Sequence, residues 1–183
     1  MSKTIHLIRH GQSTFNAHMS LHGVDPMYFD APLSPRGEEQ VAALRDQMAA
    51  HPVDLVVSTP FTRAIQTSLG AFGHRGLPLV IEALHREHLN ASCDVGSPPK
   101  VLTDAFPELD FGHLDDPWWY QKEGHRGPFA EEPHDMLMER VNRFRGWLAS
   151  RPERRIAVVG HGTFFYMLLG RFLNNAEVAK LEL

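Results

Sequence analysis

Two histidines and two arginines of this chain lie just after short apolar segments. Arg9 and His10 come directly after the first segment, Arg63 lies shortly after the second, and His161 follows the last. A guanidinium group presents forked N–H donors that match phosphate oxygens, and a neutral imidazole can attack phosphorus or carry a proton. If the fold brings these four side chains together, the sequence predicts a site for an anion such as phosphate.

The segments that must position these residues alternate between strand and helix patterns. Mostly apolar runs at residues 5–8, 53–57, 79–81 and 156–159 are typical of strands buried on both faces. Ser34-Pro35 and Thr59-Pro60 each combine a capping residue with a first-turn proline, which predicts helices there. This alternation predicts an α/β fold, a three-layer sandwich with a mostly parallel central sheet and helices on both faces.

Two further helices are expected towards the end of the chain, over residues 136–148 and 163–172. The first is amphipathic, and the inward residues are expected to be Met136, Val141, Phe144 and Leu148. The last residues, 173–183, also have helical character.

Open α/β sheets bind ligands beyond the carboxyl ends of their strands, so the four residues are expected at one edge. Helix N-termini at Thr59 and Gly162 would add backbone N–H donors. Taken alone, a histidine at a strand end usually forms a local hydrogen bond, and an arginine in a first turn is usually a solvated charge. All of them at strand ends of one sheet favour the anion site.

The length of 183 residues fits a single domain, 1–183, with an inserted segment at about 88–134. This segment holds six of the 13 prolines together with Trp118, Trp119 and Tyr120. An insertion of this size is usually a lid or a binding loop, and a packed structural flap is an equally good interpretation. The three aromatic residues favour an apolar anchor over a surface that stacks on substrate.

Composition narrows the classes of function and partner. The formal net charge of -4 argues against a nucleic-acid-binding protein. No apolar run is long enough to span a membrane, and the first residues lack the pattern of a secretory signal. The single cysteine, Cys93, suits a reducing compartment, so a cytoplasmic location is expected. A homodimer is left open.

Four blocks of the sequence resemble the histidine phosphatase superfamily, in its phosphoglycerate mutase-like branch. In chain order they are LIRHGQSTFN at residues 7–16, LSPRG at 33–37, STPFTRAIQT at 58–67 and VGHGT at 159–163. An Arg-His-Gly triplet alone would be a weak signal, but four blocks in family order are a specific one. The resemblance spans nearly the whole chain and is weakest at residues 88–134.

The resemblance implies a phosphoryl-transfer site at the predicted sheet edge. His10 would be the nucleophile that becomes phosphohistidine, and a protonated His161 would help Arg9 and Arg63 hold the phosphoryl oxygens. Further phosphate contacts would come from Gly11, Asn16 and Gly162. No metal and no other cofactor is implied, because fixed cations already offset the phosphate charge.

A general acid is expected after the third strand, where the family places a glutamate. Glu87 fits that position, with Glu82 and Glu108 as fallback candidates. His85 and His88 have ligand-like spacing, but no second cluster completes a metal set, so no metal site is predicted.

Hydrolysis of a small phosphorylated metabolite is the favoured function. A mutase needs extra cations in its lid to hold a doubly phosphorylated intermediate, whereas residues 88–134 carry three basic and nine acidic side chains. Mutase-type phosphoryl transfer, a non-catalytic phosphate-binding module and a phosphoprotein substrate stay open as alternatives.

Overall fold

The computed structural model describes residues 2–183. Within this range the strands are β1 (Thr4–Arg9), β2 (Leu55–Ser58), β3 (Leu79–Ile81), β4 (Arg155–Gly160) and β5 (Val178–Glu182). The α-helices are α1 (Thr14–His22), α2 (Pro35–Met48), α3 (Thr62–Phe72), α4 (Pro99–Ala105), α5 (His134–Ser150) and α6 (Gly162–Leu169). No helix of the described range combines the length and the apolarity that crossing a membrane requires.

The strands form one sheet in the order β3-β2-β4-β1-β5. The first four are parallel, and β5 pairs antiparallel with β1 at the edge. Because successive side chains of a strand point to opposite faces, β2 sends Val56 into a core with α2 and α3, and Val57 into a second core with α5 and α6. This arrangement confirms the predicted α/β sandwich.

The start predicted for the second helix at Thr59-Pro60 is wrong by a few residues. Helix α3 begins at Thr62, after the N-cap residue Phe61. The side chain of Thr59 pairs with His161 instead of capping a helix, and the Thr62 amide donates to the distant Asp30 carboxylate at 2.9 Å. A long-range carboxylate thus replaces the local cap that the sequence indicated.

Two expectations for the C-terminal third are also wrong. Residues 173–183 contain strand β5 rather than a helix, because the open edge of β1 takes up the tail through backbone hydrogen bonds, with Ile8 opposite Val178. Met136 is 42% exposed, since the buried stripe of α5 runs through Leu137, Val141, Phe144 and Leu148.

The inserted segment is packed against the body through an aromatic contact. Trp118 is 5% exposed, and its ring meets Phe61 edge-on with 4.7 Å between centroids. Its indole N–H donates to the Ser97 carbonyl at 2.8 Å. The role of Trp118 as an apolar anchor agrees with the interpretation favoured from the sequence.

The carboxyl ends of three neighbouring strands are level with one another. Arg9 lies opposite Gly160, and Ser58 lies opposite Val159 in the parallel ladders. The next residues along each strand direction are therefore His10, His161 and Thr59. Sheet register alone brings these side chains to one edge.

Candidate active site

The sheet edge brings His10, Arg63 and His161 into direct contact. The two imidazole rings have centroids 5.2 Å apart. Arg63 lies between them, with Nε donating to His10 Nε2 at 3.3 Å and Nη2 donating to His161 Nδ1 at 3.4 Å. All three residues are buried, at 4%, 2% and 0% exposed. The geometry therefore agrees with the expectation that these residues come together at one edge of the sheet.

The arginine also determines which nitrogen of each ring carries a proton. A guanidinium group can only donate, so His10 Nε2 and His161 Nδ1 must be acceptors. His10 then carries its proton on Nδ1 and donates it to the Gly11 carbonyl at 2.6 Å. His161 donates from Nε2 to the Thr59 hydroxyl at 2.8 Å. The lone pair of the His10 ring consequently lies on Nε2, where it accepts from the Arg63 guanidinium.

Burial and the nearby arginines keep both rings uncharged. The pKa of His10 falls well below 6.5, first through burial and then through Arg63 and Arg9. The pKa of His161 also falls well below 6.5, through burial, Arg63 and His10. The resemblance implied a protonated His161, whereas the site without a ligand favours the neutral ring. A bound phosphate dianion would supply the negative charge that reverses this preference.

Arg63 has two more partners that the sequence analysis did not assign to it. Its Nη1 donates to the Cys93 carbonyl at 2.7 Å, and its Nη2 forms a buried ion pair with Asp94 at 3.1 Å. Burial raises the pKa of Asp94, and Arg63 opposes that rise. The Arg63 guanidinium also packs over the Phe61 ring, 4.3 Å from the ring centroid. The inserted segment thus supplies a carboxylate to the site.

Arg9 lies at the same edge and retains an unused donor. Its Nη1 donates to the Leu173 carbonyl at 2.7 Å. Its Nε is buried and has no hydrogen-bond partner within residues 2–183. The guanidinium lies close to Gly162, where an added Cβ would be 3.5 Å from the Arg9 Cζ. An orphaned, positively charged N–H at this place suits an anionic oxygen.

Glu87 is half-buried at the start of α6. Its Oε1 accepts from the amides of His88 and Phe164, at 2.9 and 3.0 Å, and its Oε2 accepts from the Thr163 amide at 3.0 Å. Its charge also offsets part of the burial that lowers the pKa of Arg9. The sequence-predicted acid therefore lies within electrostatic range of the arginine cluster.

The predicted use of helix N-termini as phosphate donors needs correction. Asp30 binds the first amide of α3, and Glu87 binds the second and third amides of α6. Protein carboxylates already satisfy these donors, as helix starts favour negative charge. Side chains are therefore the main anion ligands that the site offers.

Gly11 and Asn16 occupy structural roles beside the histidine. The Gly11 amide donates to the Thr67 hydroxyl at 3.1 Å, so this amide is not free for phosphate. A Cβ at Gly11 would lie 2.8 Å from the Gly37 carbonyl oxygen, which explains the glycine. The Asn16 oxygen accepts from the Ser13 amide at 3.2 Å as part of the α1 cap, which leaves its Nδ2 group as the ligand donor.

Asn175 is a site residue that sequence reasoning missed. Its Nδ2 donates to the His10 carbonyl at 3.1 Å and to Asn16 Oδ1 at 3.3 Å. It lies between α6 and β5, outside the four recognised blocks. Only the return of the tail along β1 brings it to His10, so no local signal could have found it.

The fallback acids and the nearby histidines have structural partners. Glu82 Oε1 accepts from the Leu84 amide at 2.8 Å, and Glu108 is exposed. His85 donates to the Val159 carbonyl at 3.1 Å, and burial lowers its pKa to about 3. His88 donates to the Glu132 carbonyl at 2.7 Å. Within residues 2–183, no three His, Cys, Asp or Glu side chains are grouped to hold a metal ion.

A cavity of about 650 Å³ lies on the other side of the loop that carries Glu87. Its walls combine apolar, aromatic and charged side chains, among them Leu84, Arg86, Trp119, Tyr120, Met136 and Arg143. Trp118, Trp119 and Tyr120 all border this cavity, although Trp118 is buried.

Fold and site together define an α/β protein with a buried histidine–arginine anion site at the carboxyl edge of a parallel sheet. The family model of the histidine phosphatase superfamily (branch 1) matches residues 5–182. The chain therefore belongs to this superfamily, as the four sequence blocks indicated.

Relatives and solved structures agree with this assignment. A phosphoglycerate mutase-like protein of Arabidopsis thaliana is 29% identical, over 93% of this chain and 74% of its own length. The glucosyl-3-phosphoglycerate phosphatase of Mycolicibacterium vanbaalenii is 28% identical, over 91% of this chain and 72% of its own. The structure of the alpha-ribazole phosphatase from Shigella flexneri has the same fold, with a TM-score of 0.65, 20% identity and coverage of 97% of this chain and 89% of that one.

Proposed function

We propose that this protein is a metal-independent phosphatase that hydrolyses a small phosphomonoester through a phosphohistidine intermediate on His10. The observation that carries the proposal is the buried Nε2 lone pair of His10, held against the Arg63 guanidinium with the ring proton fixed on Nδ1. A neutral nucleophile beside fixed positive charge is what attack on a phosphate dianion requires.

The first half-reaction transfers the phosphoryl group to the enzyme. His10 Nε2 attacks phosphorus, the new P–N bond forms, and the P–O bond to the leaving group breaks. The equatorial oxygens, where negative charge concentrates, are held by Arg9, Arg63 and His161. His161 takes up a proton when the substrate binds. Asn16 and Gly162 supply further neutral donors.

Glu87 completes the proton balance. Oε2 of Glu87 accepts one hydrogen bond in the free protein, and its remaining lone pair holds a proton in the acid form. This proton passes to the departing alkoxide. In the second half-reaction the carboxylate takes a proton from water. The hydroxyl then attacks phosphorus, the P–N bond breaks, and inorganic phosphate leaves a regenerated His10.

The lid, residues 88–134, favours hydrolysis over mutase activity. Lys100 is exposed and pairs with Asp104, and Lys122 and Arg126 are exposed as well. The group that the lid places beside Arg63 is the carboxylate of Asp94. Among the residues of the lid, a second phosphate on the substrate would therefore meet a negative charge near Arg63 rather than a cation. The name of the Mycolicibacterium relative as a phosphatase supports the same choice.

A small metabolite is the favoured substrate. The reacting side chains are buried, and the lid contacts Arg63 through the Cys93 carbonyl and the Asp94 carboxylate. A phosphoprotein would have to reach His10 past the packed lid.

The proposal is tested by phosphate release from p-nitrophenyl phosphate and a panel of phosphorylated metabolites. His10→Ala should reduce turnover to the uncatalysed level, whereas His51→Ala, at an exposed histidine, should retain it. Addition of EDTA should leave the activity unchanged. Protein quenched with alkaline denaturant should carry a phosphoryl group only when His10 is present, because the P–N bond of phosphohistidine is stable to base and labile to acid. Turnover that survives in His10→Ala would remove the assigned nucleophile.

Glu87→Gln distinguishes the acid from a residue that only shapes the site. It should slow alkyl phosphates far more than p-nitrophenyl phosphate, whose leaving group needs no proton. Equal losses on both substrates would show that Glu87 is not the acid.

A further inference from the structure

Arg140 of α5 is a buried arginine that lies outside the anion site, and all five of its N–H groups have acceptors. Nε and Nη2 bind the two oxygens of Glu132 at 2.8 and 2.6 Å. Nη1 donates to the carbonyls of Leu84 and Arg86 at 2.8 and 3.0 Å, and Nη2 also donates to the Glu87 carbonyl at 3.4 Å. One guanidinium group therefore holds three carbonyls of the segment that carries Glu87.

Glu132 ties the end of the lid to the same segment. Its amide donates to the Leu89 carbonyl at 2.9 Å, and its carbonyl accepts from His88 at 2.7 Å. Its carboxylate is fully buried, and the side chain of Arg140 is 6% exposed. Residues 84–89 are thus enclosed between the lid and helix α5.

The contacts reach Glu87 from both sides. Its side chain is bound by the first turn of α6, and its main chain is bound by Arg140. The Arg140 guanidinium also lies 5.5 Å from the centroid of the Phe164 ring, and the Phe164 amide is a donor to Glu87. Arg140 therefore contacts both the loop and the helix that fix the carboxylate.

We propose that Arg140, with Glu132 as its partner, is a positioning residue that fixes the distance of the Glu87 carboxylate from the leaving-group oxygen. The proposal rests on the proposed function, in which Glu87 is the general acid. Residues 82–89 belong to no helix or strand, and the carbonyls of Leu84, Arg86 and Glu87 accept from the Arg140 side chain. Proton transfer requires hydrogen-bond distance, and a displacement of about 1 Å can cost 100-fold in rate.

Arg140→Lys is the informative variant. Lysine keeps the positive charge beside Glu132, but its single ammonium has three donors and cannot reproduce the planar fork that reaches the carboxylate and the loop carbonyls together. We expect the variant to fold and the position of its Glu87 carboxylate to be less fixed. The matched control is Arg145→Lys, the same change at an exposed position of the same helix.

The measurement is kcat/KM for a series of phosphate monoesters that runs from nitrophenyl to alkyl leaving groups, since kcat/KM reports the phosphoryl-transfer step. Arg140→Lys should lose roughly 10- to 100-fold on the alkyl esters and less than about threefold on p-nitrophenyl phosphate. Arg145→Lys should match the unaltered protein on both. In a Glu87→Gln background, Arg140→Lys should have little further effect.

The outcomes separate the two proposals. Equal losses along the whole series, or independent losses in the double variant, would overturn the positioning role while His10-dependent turnover still stood. Loss of His10 dependence would overturn the proposed function itself. Circular dichroism and urea unfolding of Arg140→Lys confirm that the comparison is made between folded proteins.

Discussion

Two buried arginines, Arg63 and Arg140, have nearly equal exposure and opposite surroundings. Arg63 is 2% exposed and meets two neutral imidazoles at 3.3 and 3.4 Å, one carbonyl and one oxygen of Asp94. Arg140 is 5% exposed, binds both oxygens of Glu132 and donates its other N–H groups to backbone carbonyls. Arg63 can readily exchange its long hydrogen bonds to neutral rings for hydrogen bonds to phosphate oxygens. Arg140 cannot readily give up its bidentate ion pair.

The difference shows that a buried arginine can bind an anion at one place in the molecule and hold a loop in position at another. The charge of Arg63 is only partly offset and stays available to a dianion. The charge of Arg140 is neutralised, and its effect reaches the site only through the position of Glu87. The predictions below test this contrast, beginning with the largest expected effect.

Arg63→Lys should reduce kcat/KM on every phosphomonoester by about 1000-fold, because an ammonium cannot contact both imidazoles and a phosphoryl oxygen at once. The loss should be the same for nitrophenyl and alkyl esters, unlike that of Arg140→Lys. Steady-state phosphate release measures it. A loss below tenfold would mean that Arg63 is not part of the phosphate site.

Arg140→Met should destabilise the protein by about 3 kcal/mol, because the buried Glu132 carboxylate then keeps only the longer 3.4 Å contact from Arg86. Adding Glu132→Leu should restore part of that loss, since it removes the weakly paired buried charge. Urea unfolding at pH 7 gives the free energies. If the double variant is no more stable than the single one, desolvation of Glu132 is not the cause.

The buried side chain of His85 makes the stability of the folded protein depend on pH. Burial lowers its pKa to about 3, and Arg140 adds to the effect. Because the unfolded chain binds a proton near pH 6.5 and the folded protein does not, this group costs stability as pH falls below 6.5, and the cost is absent above it. Between pH 7 and pH 5 its share is about 2 kcal/mol. The burial is complete, so solvent screening does not reduce this share.

His85→Gln retains a donor for the Val159 carbonyl and removes the titration. Urea unfolding at pH 7 and pH 5 should show a drop smaller by about 2 kcal/mol in this variant than in the unaltered chain. His10 and His161 should still contribute in both proteins, because their pKa values are lowered as well. Equal drops in the two proteins would contradict a neutral, buried His85.

Asp94→Asn should have the smallest effect and the opposite sign. It removes a negative charge 3.1 Å from Arg63 but keeps an oxygen that can accept from the guanidinium. Inorganic phosphate should then inhibit roughly tenfold more tightly at pH 7.5, since one carboxylate no longer repels the dianion. Competitive inhibition of p-nitrophenyl phosphate hydrolysis measures this change. Weaker inhibition would mean that Asp94 mainly holds Arg63 in place.

Local sequence was sufficient for the parts of the site that lie within short motifs. Arg9 and His10 follow an apolar strand, and His161 follows another, so the parallel sheet had to place them at one edge. The apolar runs and the Ser34-Pro35 cap likewise predicted most strands and helix α2 correctly. These predictions succeed because strand direction and helix capping depend on residues close together in the chain.

Tertiary structure alone decided the remaining partners. Asp94 reaches Arg63 from the lid, Asn175 reaches His10 from the tail, and Arg140 reaches the Glu87 segment from α5. These pairs are 31, 165 and 53 residues apart. The tail itself became a strand because the edge of β1 offered unpaired backbone groups. Such contacts arise from packing and register across the whole molecule, which no local pattern encodes.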